Sequence, residues 1–218
     1  METKIIGLFG SGQSDLCIYL ANILENLKYQ VLVIDNAIEQ KIKLCIPRPE
    51  EELDTITYQN VDYAFLRPAE EWFGDKYDFV LVDMGKEPMA DALVLSDFLI
   101  CVMDCERFTV SRYQDTIAQS KIPINIIFRS YCKNYMSQRK LKELVDVGNC
   151  FVADISFLPV SELDECNRIL MQYQGYHGFQ RVSKELDATL FSLCRFFCEN
   201  DYKEVRNGLR RAKRGECH

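Results

Sequence analysis

The amino-acid sequence predicts an α/β protein of three layers, αβα, in which a mainly parallel sheet lies between two layers of helices. Short continuous apolar runs alternate along the chain with longer segments in which apolar residues recur every three or four positions. The short runs are typical of strands buried on both faces, and the longer segments are typical of helices with one packed face. Alternating strands and helices form βαβ units, which place their strands parallel in one sheet.

Seven apolar runs account for the predicted strands. The runs QVLVID and YDFVLVD are the strongest, because they are nearly uninterrupted and each ends in a carboxylate. Pro123 precedes one of the later runs and Pro159 follows another. In chain order the predicted strands cover residues 5–9, 30–35, 61–66, 77–83, 98–103, 124–128 and 151–157.

Seven segments with helical spacing follow these strands. One opens with Ser161 three positions before Asp164, which resembles a capping box. The segment 178–198 carries its apolar residues on one stripe, so we expect it to dock on the sheet. The predicted helices cover residues 13–28, 89–95, 107–120, 137–145, 161–173, 178–198 and 202–214. We predict a loop that can hold a short helix at 36–59, and a short helix or turn at 68–74.

The charge distribution separates the end of the chain from its body. The 218 residues are 48% hydrophobic, which is enough for one substantial core. The net charge is −7, but the last eighteen residues carry +3, so residues 1–200 carry −10. We therefore predict a main domain over 1–200 and a basic C-terminal tail over 201–218, which we expect to be an interaction element rather than part of the core. An acidic body argues against nucleic acid as the main partner.

The cysteines and the apolar runs indicate a cytoplasmic protein. Ten cysteines are scattered without a C-x-x-C pair, and Met1 leads into the first strand without a signal peptide. We expect reduced thiols, with a cysteine metal site as a minor alternative because only two histidines are present. No apolar run reaches the roughly 18 residues of a transmembrane helix. The tail has too thin an apolar stripe for firm insertion, so we expect no peripheral membrane contact either.

The stretch KIIGLFGSGQSDLCIYL at residues 4–20 carries a phosphate-binding motif. It passes from a β-prone run through three glycines into a helical pattern. The pattern G-x-x-x-x-G-K-[ST] is complete here except for its lysine, which is Gln13. The backbone N–H groups of such a loop form an anion cradle at the helix N-terminus. The predicted nucleotide-binding residues are Gly7, Gly10, Ser11, Gly12, Gln13, Ser14 and Asp15.

Two residues weaken this site for nucleotides. Gln13 can donate hydrogen bonds but lacks the positive charge that stabilises phosphoryl groups. Asp15 places a carboxylate in the first helical turn, where it is favourable to the helix dipole and competes with a phosphate. An ordinary glycine-rich turn between a strand and a helix stays an alternative for this stretch.

The strand YDFVLVD ends in Asp83, which has the form of a Walker B element. The carboxylate of such a strand reaches the Mg²⁺ region of a nucleotide site. On its own, a buried strand with a polar end would explain the pattern equally well. Together with the glycine loop it predicts a metal site at Ser14 and Asp83, on condition that Mg-ATP binds.

The order of these motifs resembles the MinD/ParA class of deviant-Walker P-loop ATPases over about residues 1–200. The motifs are the glycine loop, QVLVID, YDFVLVD, the run DFLI at 97–100 and the turn FLPV at 157–160. The resemblance implies a three-layer P-loop NTPase-like fold. The atypical TadZ/CpaE-like pilus-localisation proteins are the nearest functional comparison.

The chain departs from the class at the positions that the class uses for catalysis. The resemblance places the signature lysine at Leu8, a loop glycine at Phe9, the loop lysine at Gln13 and a water-positioning aspartate at Ala37. Three charged positions are therefore vacant together, and we predict no catalytic residue.

Three hypotheses for the function follow. The favoured one is an inactive pseudo-ATPase without a cofactor, which acts as a scaffold or localisation factor in secretion, pilus or division machinery. It would bind protein partners as a homodimer or heterodimer through a face with Leu8, Phe9 and Gln13, unless the first two simply complete a buried strand. The second is a weak ATPase that still binds ATP and Mg²⁺. The third, a cluster-binding redox protein, would need a cysteine pair after the Walker B strand, and residues 84–96 contain none.

Overall fold

The computed structural model describes residues 2–47, 54–68, 71, 76–88, 90–132, 137–145 and 151–217. Within these ranges eight strands form one sheet in the order β3-β4-β2-β5-β1-β6-β7-β8. Every neighbouring pair is parallel except β3 and β4, so the predicted mainly parallel sheet is confirmed. The strands are β1 (Lys4–Gly10), β2 (Val31–Asp35), β3 (Thr55–Tyr58), β4 (Val61–Phe65), β5 (Phe79–Asp83), β6 (Phe98–Met103), β7 (Ile124–Tyr131) and β8 (Val152–Pro159).

Helices cover both faces of the sheet, which confirms the three-layer architecture. Buried side chains of α1, α6 and α7 belong to a first core cluster, and those of α3 and α4 belong to a second. The helices are α1 (Ser14–Asn26), α2 (Ala90–Leu95), α3 (Arg107–Gln119), α4 (Gln138–Val145), α5 (Glu162–Gln174), α6 (Lys184–Phe197) and α7 (Tyr202–Lys213), and Ile42–Leu44 form one 3-10 turn. None of these helices combines the length and the apolar character that crossing a bilayer requires.

The central strand β1 shows why the proposed contact face is wrong. Successive side chains of a strand point to opposite faces of the sheet, and helices cover both faces here. Leu8 therefore lies in the first core cluster and Phe9 in the second, and neither has any exposed surface. The prediction that these two residues form a subunit interface is wrong, and the alternative that they complete a buried strand holds.

A strand at 55–58 and the start of α6 depart from the sequence prediction for local reasons. Residues 55–58 form β3 within the region predicted as a loop, and they pair antiparallel with β4. Gln59 and Asn60, with φ of 50° and 59°, make the two-residue turn between them, a conformation that suits hairpins. Helix α6 begins at Lys184 rather than at 178, because the Ser183 hydroxyl caps it by accepting from the Leu186 N–H at 3.1 Å. Most of the turn predicted at 68–74 lies outside the described residues.

The cysteines remain unpaired where the structure describes them. All nine cysteines in the described ranges are free, and Cys17, Cys45, Cys101, Cys194 and Cys198 are buried. Cys150 lies outside those ranges. The buried thiols act as small apolar side chains in the core.

The C-terminal tail packs on the core, contrary to the expectation from its composition. Helix α1 is buried along its whole length, so its outer side needs a cover. Helix α7 supplies that cover with Val205, Leu209 and Ala212, which are at most 1% exposed. Gly208 allows the close approach, because a Cβ there would lie 2.8 Å from Leu27 Cδ2. The expectation that the tail lies outside the core is wrong, while its use as an interaction element stays a prediction.

Shortening Leu209 to alanine should test this packing. Loss of a buried leucine side chain costs about 2–5 kcal/mol, because a cavity remains between α7 and α1. For a chain of this size that corresponds to a fall of roughly 5–15 °C in the thermal midpoint, measured by calorimetry. The control is Lys203→Ala on the exposed side of the same helix, which should change the midpoint little. Equal midpoints for both variants would show that α7 does not stabilise the fold.

Candidate functional site

The predicted site residues meet at one edge of the sheet. The carboxyl ends of parallel strands lie at the same edge, and ligands of open α/β sheets bind there. At this edge the glycine loop follows β1, Asp35 ends β2, Asp83 ends β5 and Arg129 lies near the end of β7. The structure therefore brings the glycine loop and the Walker B-like aspartate together, as the sequence predicts.

Backbone hydrogen bonds hold the glycine loop against β6 and against the turn that follows β5. The Gly10 N–H donates to the Gly85 carbonyl at 2.8 Å, and the Ser11 N–H donates to the Val102 carbonyl at 2.7 Å. Gly10 has φ of 119°, and a Cβ at this position would lie 1.9 Å from the Val102 oxygen. Gly7 has a different role, because it lies within β1 where a Cβ would collide with Met84 Cε at 2.1 Å. Gly7 thus serves the packing of the strand.

Asp83 is fully buried and is satisfied by the loop itself. Its Oδ1 accepts from Gln13 Nε2 at 2.8 Å and from the Gly85 N–H at 2.9 Å, and its Oδ2 accepts from the Ser14 hydroxyl at 2.7 Å. Burial raises the pKa of Asp83, and these three donors counteract the rise. The side chain of Gln13 is therefore used to bind Asp83 and does not stand free at the loop.

Asp15 forms a buried ion pair with Arg129 beside the loop. Both oxygens of Asp15 accept from the guanidinium, at 2.7 Å each, and Arg129 Nη1 also donates to the Gly12 carbonyl. A bidentate pair of this kind is strong and fixed in orientation. Burial acts to lower the pKa of Arg129, but the carboxylate of Asp15 outweighs it and raises that pKa. An arginine of the chain itself thus covers Gly12, where a Cβ would lie 3.1 Å from Nη1.

Sequence reasoning missed Arg129, although the sequence carries a signal for it. Arg129 is the single charged residue in the apolar run INIIFRSY of β7. A charge in a buried strand needs a partner, and the end of a parallel strand lies at the ligand edge. The pairing of β7 with β8 is irregular between Phe128 and Tyr131, and Ser130 has φ of 54°. Irregularities of this type change the direction of a side chain.

Asp35 stabilises the turn that follows β2. Its Oδ1 accepts from the Ala37 N–H at 3.3 Å, and its Oδ2 accepts from the N–H groups of Ile42 at 3.0 Å and Lys43 at 3.3 Å. Burial, and then the charge of Asp83 opposite it in the sheet, raises the pKa of Asp35 to about 7. Ala37 brings no carboxylate to this place.

The space beside the glycine loop is small, although two of its residues are of a type that ligates Mg²⁺. The Ser14 hydroxyl donates a hydrogen bond to Asp83 and keeps its lone pairs, so both residues could ligate Mg²⁺. The cavity between the loop and α5 is only about 20 Å³, space for roughly one water, whereas ligand pockets measure roughly 300 Å³ or more. Among the described residues no group of three or more His, Cys, Asp and Glu could hold a metal ion. Asp15, which pairs with Arg129, lines this cavity.

Solved structures match the whole course of the chain. MinD in the MinC:MinD cell division complex of Aquifex aeolicus superposes with a TM-score of 0.64 and 13% identity, over 96% of this chain and 95% of that chain. The chain has the MinD/ParA fold. No family model matches the sequence, and no curated protein matches it.

Two further structures share the MinD/ParA fold with this chain. A putative plasmid partition protein of Borrelia burgdorferi bound to AMPPNP is 16% identical, with a TM-score of 0.57 over 95% of this chain and 97% of that chain. The pNOB8 ParA protein bound to nonspecific DNA is 15% identical, with a TM-score of 0.55 over 95% of this chain and 98% of that chain. The resemblance found in the sequence is thus confirmed at the level of the fold.

Replacing Arg129 with methionine should show how strongly the ion pair holds the site. The change leaves the Asp15 carboxylate buried without its partner, which typically costs about 3–5 kcal/mol in the free energy of unfolding. The double variant Asp15→Asn, Arg129→Met removes both charges and should recover a large part of that loss. Urea unfolding measures the free energy of unfolding of the wild type, of Arg129→Met, of Asp15→Asn and of the double variant. An Arg129→Met variant as stable as the wild type would contradict the pairing.

The raised pKa of Asp35 should make stability depend on pH. The folded pKa of about 7 exceeds the usual 3.8, so the folded state holds more protons between these values. The contribution of Asp35 to the free energy of unfolding therefore falls as the pH rises from about 4 to about 7. Asp35→Asn should remove this slope, although it loses backbone hydrogen bonds and is less stable overall. Parallel slopes in urea unfolding across this range would argue against the raised pKa.

Proposed function

We propose that this chain is a degenerate member of the MinD/ParA group that binds other proteins and does not hydrolyse ATP. The observation that carries the proposal is the buried pair between Asp15 and Arg129, which places a carboxylate and its partner beside the loop. An ATPase of this fold needs a phosphate at the loop and charges that stabilise its transfer. Here the Asp15 carboxylate, held by Arg129 in the first turn of α1, would compete with a phosphate.

The vacant catalytic positions support the proposal. Leu8 is buried and uncharged, so this position offers no cation to a nucleotide on a second subunit. Gln13 is bound to Asp83, and Ala37 offers no carboxylate to orient a water molecule. Positioning and charge stabilisation are the main contributions of a protein to phosphoryl transfer. Leu8, Gln13 and Ala37 supply neither a cation nor a carboxylate for these tasks.

A weak Mg-ATP-binding protein is the second candidate, and one observation favours it. Ser14 and Asp83 keep the arrangement that can ligate Mg²⁺. Arg129 could bind a phosphate if Asp15 released it, because guanidinium groups bind phosphate in the same bidentate way as carboxylate. The partition protein from Borrelia burgdorferi was solved with AMPPNP. This function requires the ion pair to open.

The proposed partners are proteins. The MinD neighbour was solved as a complex with MinC, which supports a protein partner, and we retain the proposal of a homodimer or heterodimer without the face once expected at Leu8 and Phe9. A ParA neighbour was solved on nonspecific DNA, but the −10 charge of residues 1–200 argues against nucleic acid here. Unpaired cysteines fit a reducing compartment, so we place the function in the cytoplasm, at secretion, pilus or division machinery.

Calorimetric titration with Mg-ATP and Mg-ADP, together with phosphate release, tests the proposal. We expect no measurable binding and no turnover above background, because the ion pair blocks the loop. The variant Gln13→Lys, Asp15→Thr adds a charge and frees Arg129, so it should bind Mg-ATP more tightly than the wild type. Asp83→Ala reveals any contaminating ATPase. Turnover that disappears in Asp83→Ala, or low-micromolar binding by the wild type, would establish the second candidate instead.

A further inference from the structure

A basic groove lies between α6 and α7, on the side of α7 that faces away from α1. The groove has a volume of about 870 Å³. Its lining includes four cations, Arg206, Arg210, Lys213 and Arg214, and one carboxylate, Asp187. These side chains sum to +3 in a protein whose net charge is −7. The groove is therefore a positively charged surface on a protein whose net charge is negative.

The inner part of the groove is held rigidly. Asp187 Oδ2 accepts from Arg206 at 2.9 Å, and Asp187 Oδ1 accepts from Lys213 at 2.8 Å. The guanidinium of Arg206 also lies over the ring of Phe191 at 4.1 Å and near the ring of Tyr202 at 5.7 Å. One carboxylate thus orients two cations, and cation–π contacts fix one of them. Groups that are ordered before binding lose little entropy when a ligand arrives.

The outer part of the groove carries positive charge that the chain does not neutralise. Arg210 is exposed and forms no ion pair with the described residues. Arg214 makes one long contact, 3.5 Å, with the carboxylate of Glu216. The exposed Tyr202 adds aromatic surface beside the cations. The groove can thus accept carboxylates and an apolar side chain together.

We propose that this groove binds an acidic segment of a partner protein. Arginine side chains bind carboxylates in a bidentate manner, and the lining offers three of them. A long polyanion or a charged bilayer would also meet the acidic surface of the body, which repels it, whereas a short acidic segment meets the groove alone. The inference rests on the proposed protein-binding function and names the chemistry of the partner.

Binding of a labelled acidic peptide to the full chain tests the inference. The probe is a fluorescent peptide of eight glutamates with one central tyrosine, followed by anisotropy at about 50 mM and 200 mM salt. We expect binding that weakens with salt, because exposed charges are screened over about 10 Å. The double variant Arg210→Glu, Arg214→Glu should weaken it about ten-fold or more, since each attractive exposed pair becomes a repulsive one.

The matched control changes the same amount of charge elsewhere. Arg107→Glu, Lys140→Glu lies on α3 and α4, on the opposite face of the sheet, and both side chains are exposed. It should weaken peptide binding less than about three-fold, because only the long-range charge of the protein changes. Thermal midpoints of both double variants verify that they fold. Equal weakening by the two double variants would reduce the effect to net charge and overturn the groove.

Two other polyanions complete the experiment. Vesicles with phosphatidylserine and a 20-base-pair DNA duplex are titrated with the same variants. If either binds through Arg210 and Arg214 while the peptide does not, the groove serves a membrane or DNA and the proposal is wrong. The outcome is separate from that of the proposed function, because peptide binding can be absent while ATP turnover is also absent. Conversely, turnover of ATP would refute the pseudo-ATPase and leave a groove that binds the peptide intact.

Discussion

The buried ion pair between Asp15 and Arg129 is the constraint on which the site depends. Two charges this deeply buried are tolerated because each satisfies the other in a bidentate geometry. The pair joins the first turn of α1 to β7, and Arg129 also binds the Gly12 carbonyl. The pair therefore ties the glycine loop to the end of β7.

Asp83 binds the side chains of Gln13 and Ser14, which follow the glycine loop. In a working nucleotide site a Walker B carboxylate serves the metal. Here Asp83 accepts hydrogen bonds from Gln13, Ser14 and Gly85, so its three donors all belong to the chain itself. Gln13 has a structural role in this network. It supplies a neutral donor to a buried carboxylate whose pKa burial raises. The side chains of Gln13 and Ser14 are thus part of the buried interior.

The basic groove depends on the packing of α7 against α1. Helix α7 covers α1 through Leu209 and its neighbours, and this packing presents the cations of α7 on the opposite side. The same short helix thus stabilises the fold and displays positive charge. Its capping box, in which Asp201 accepts from the Glu204 N–H at 2.8 Å, further supports it. Packing and charge are compatible here because they occupy different faces of one helix.

Local pattern in the sequence was sufficient for the layers, for most strands and helices, and for the meeting of Ser14 with Asp83. These features follow from periodicity, from glycine and capping signals, and from the rule that parallel strands end at one edge. The hairpin turn at Gln59 and Asn60 escaped, because neither residue is a glycine and the positive φ arises from pairing. The partner of Asp15 and the burial of α7 became visible only in the tertiary structure. Arg129 lies 114 positions from Asp15, and the stripe of α7 is too thin to predict packing until α1 is known to need a cover on every side. Contacts between distant residues depend on how whole elements pack, and no local pattern contains that information.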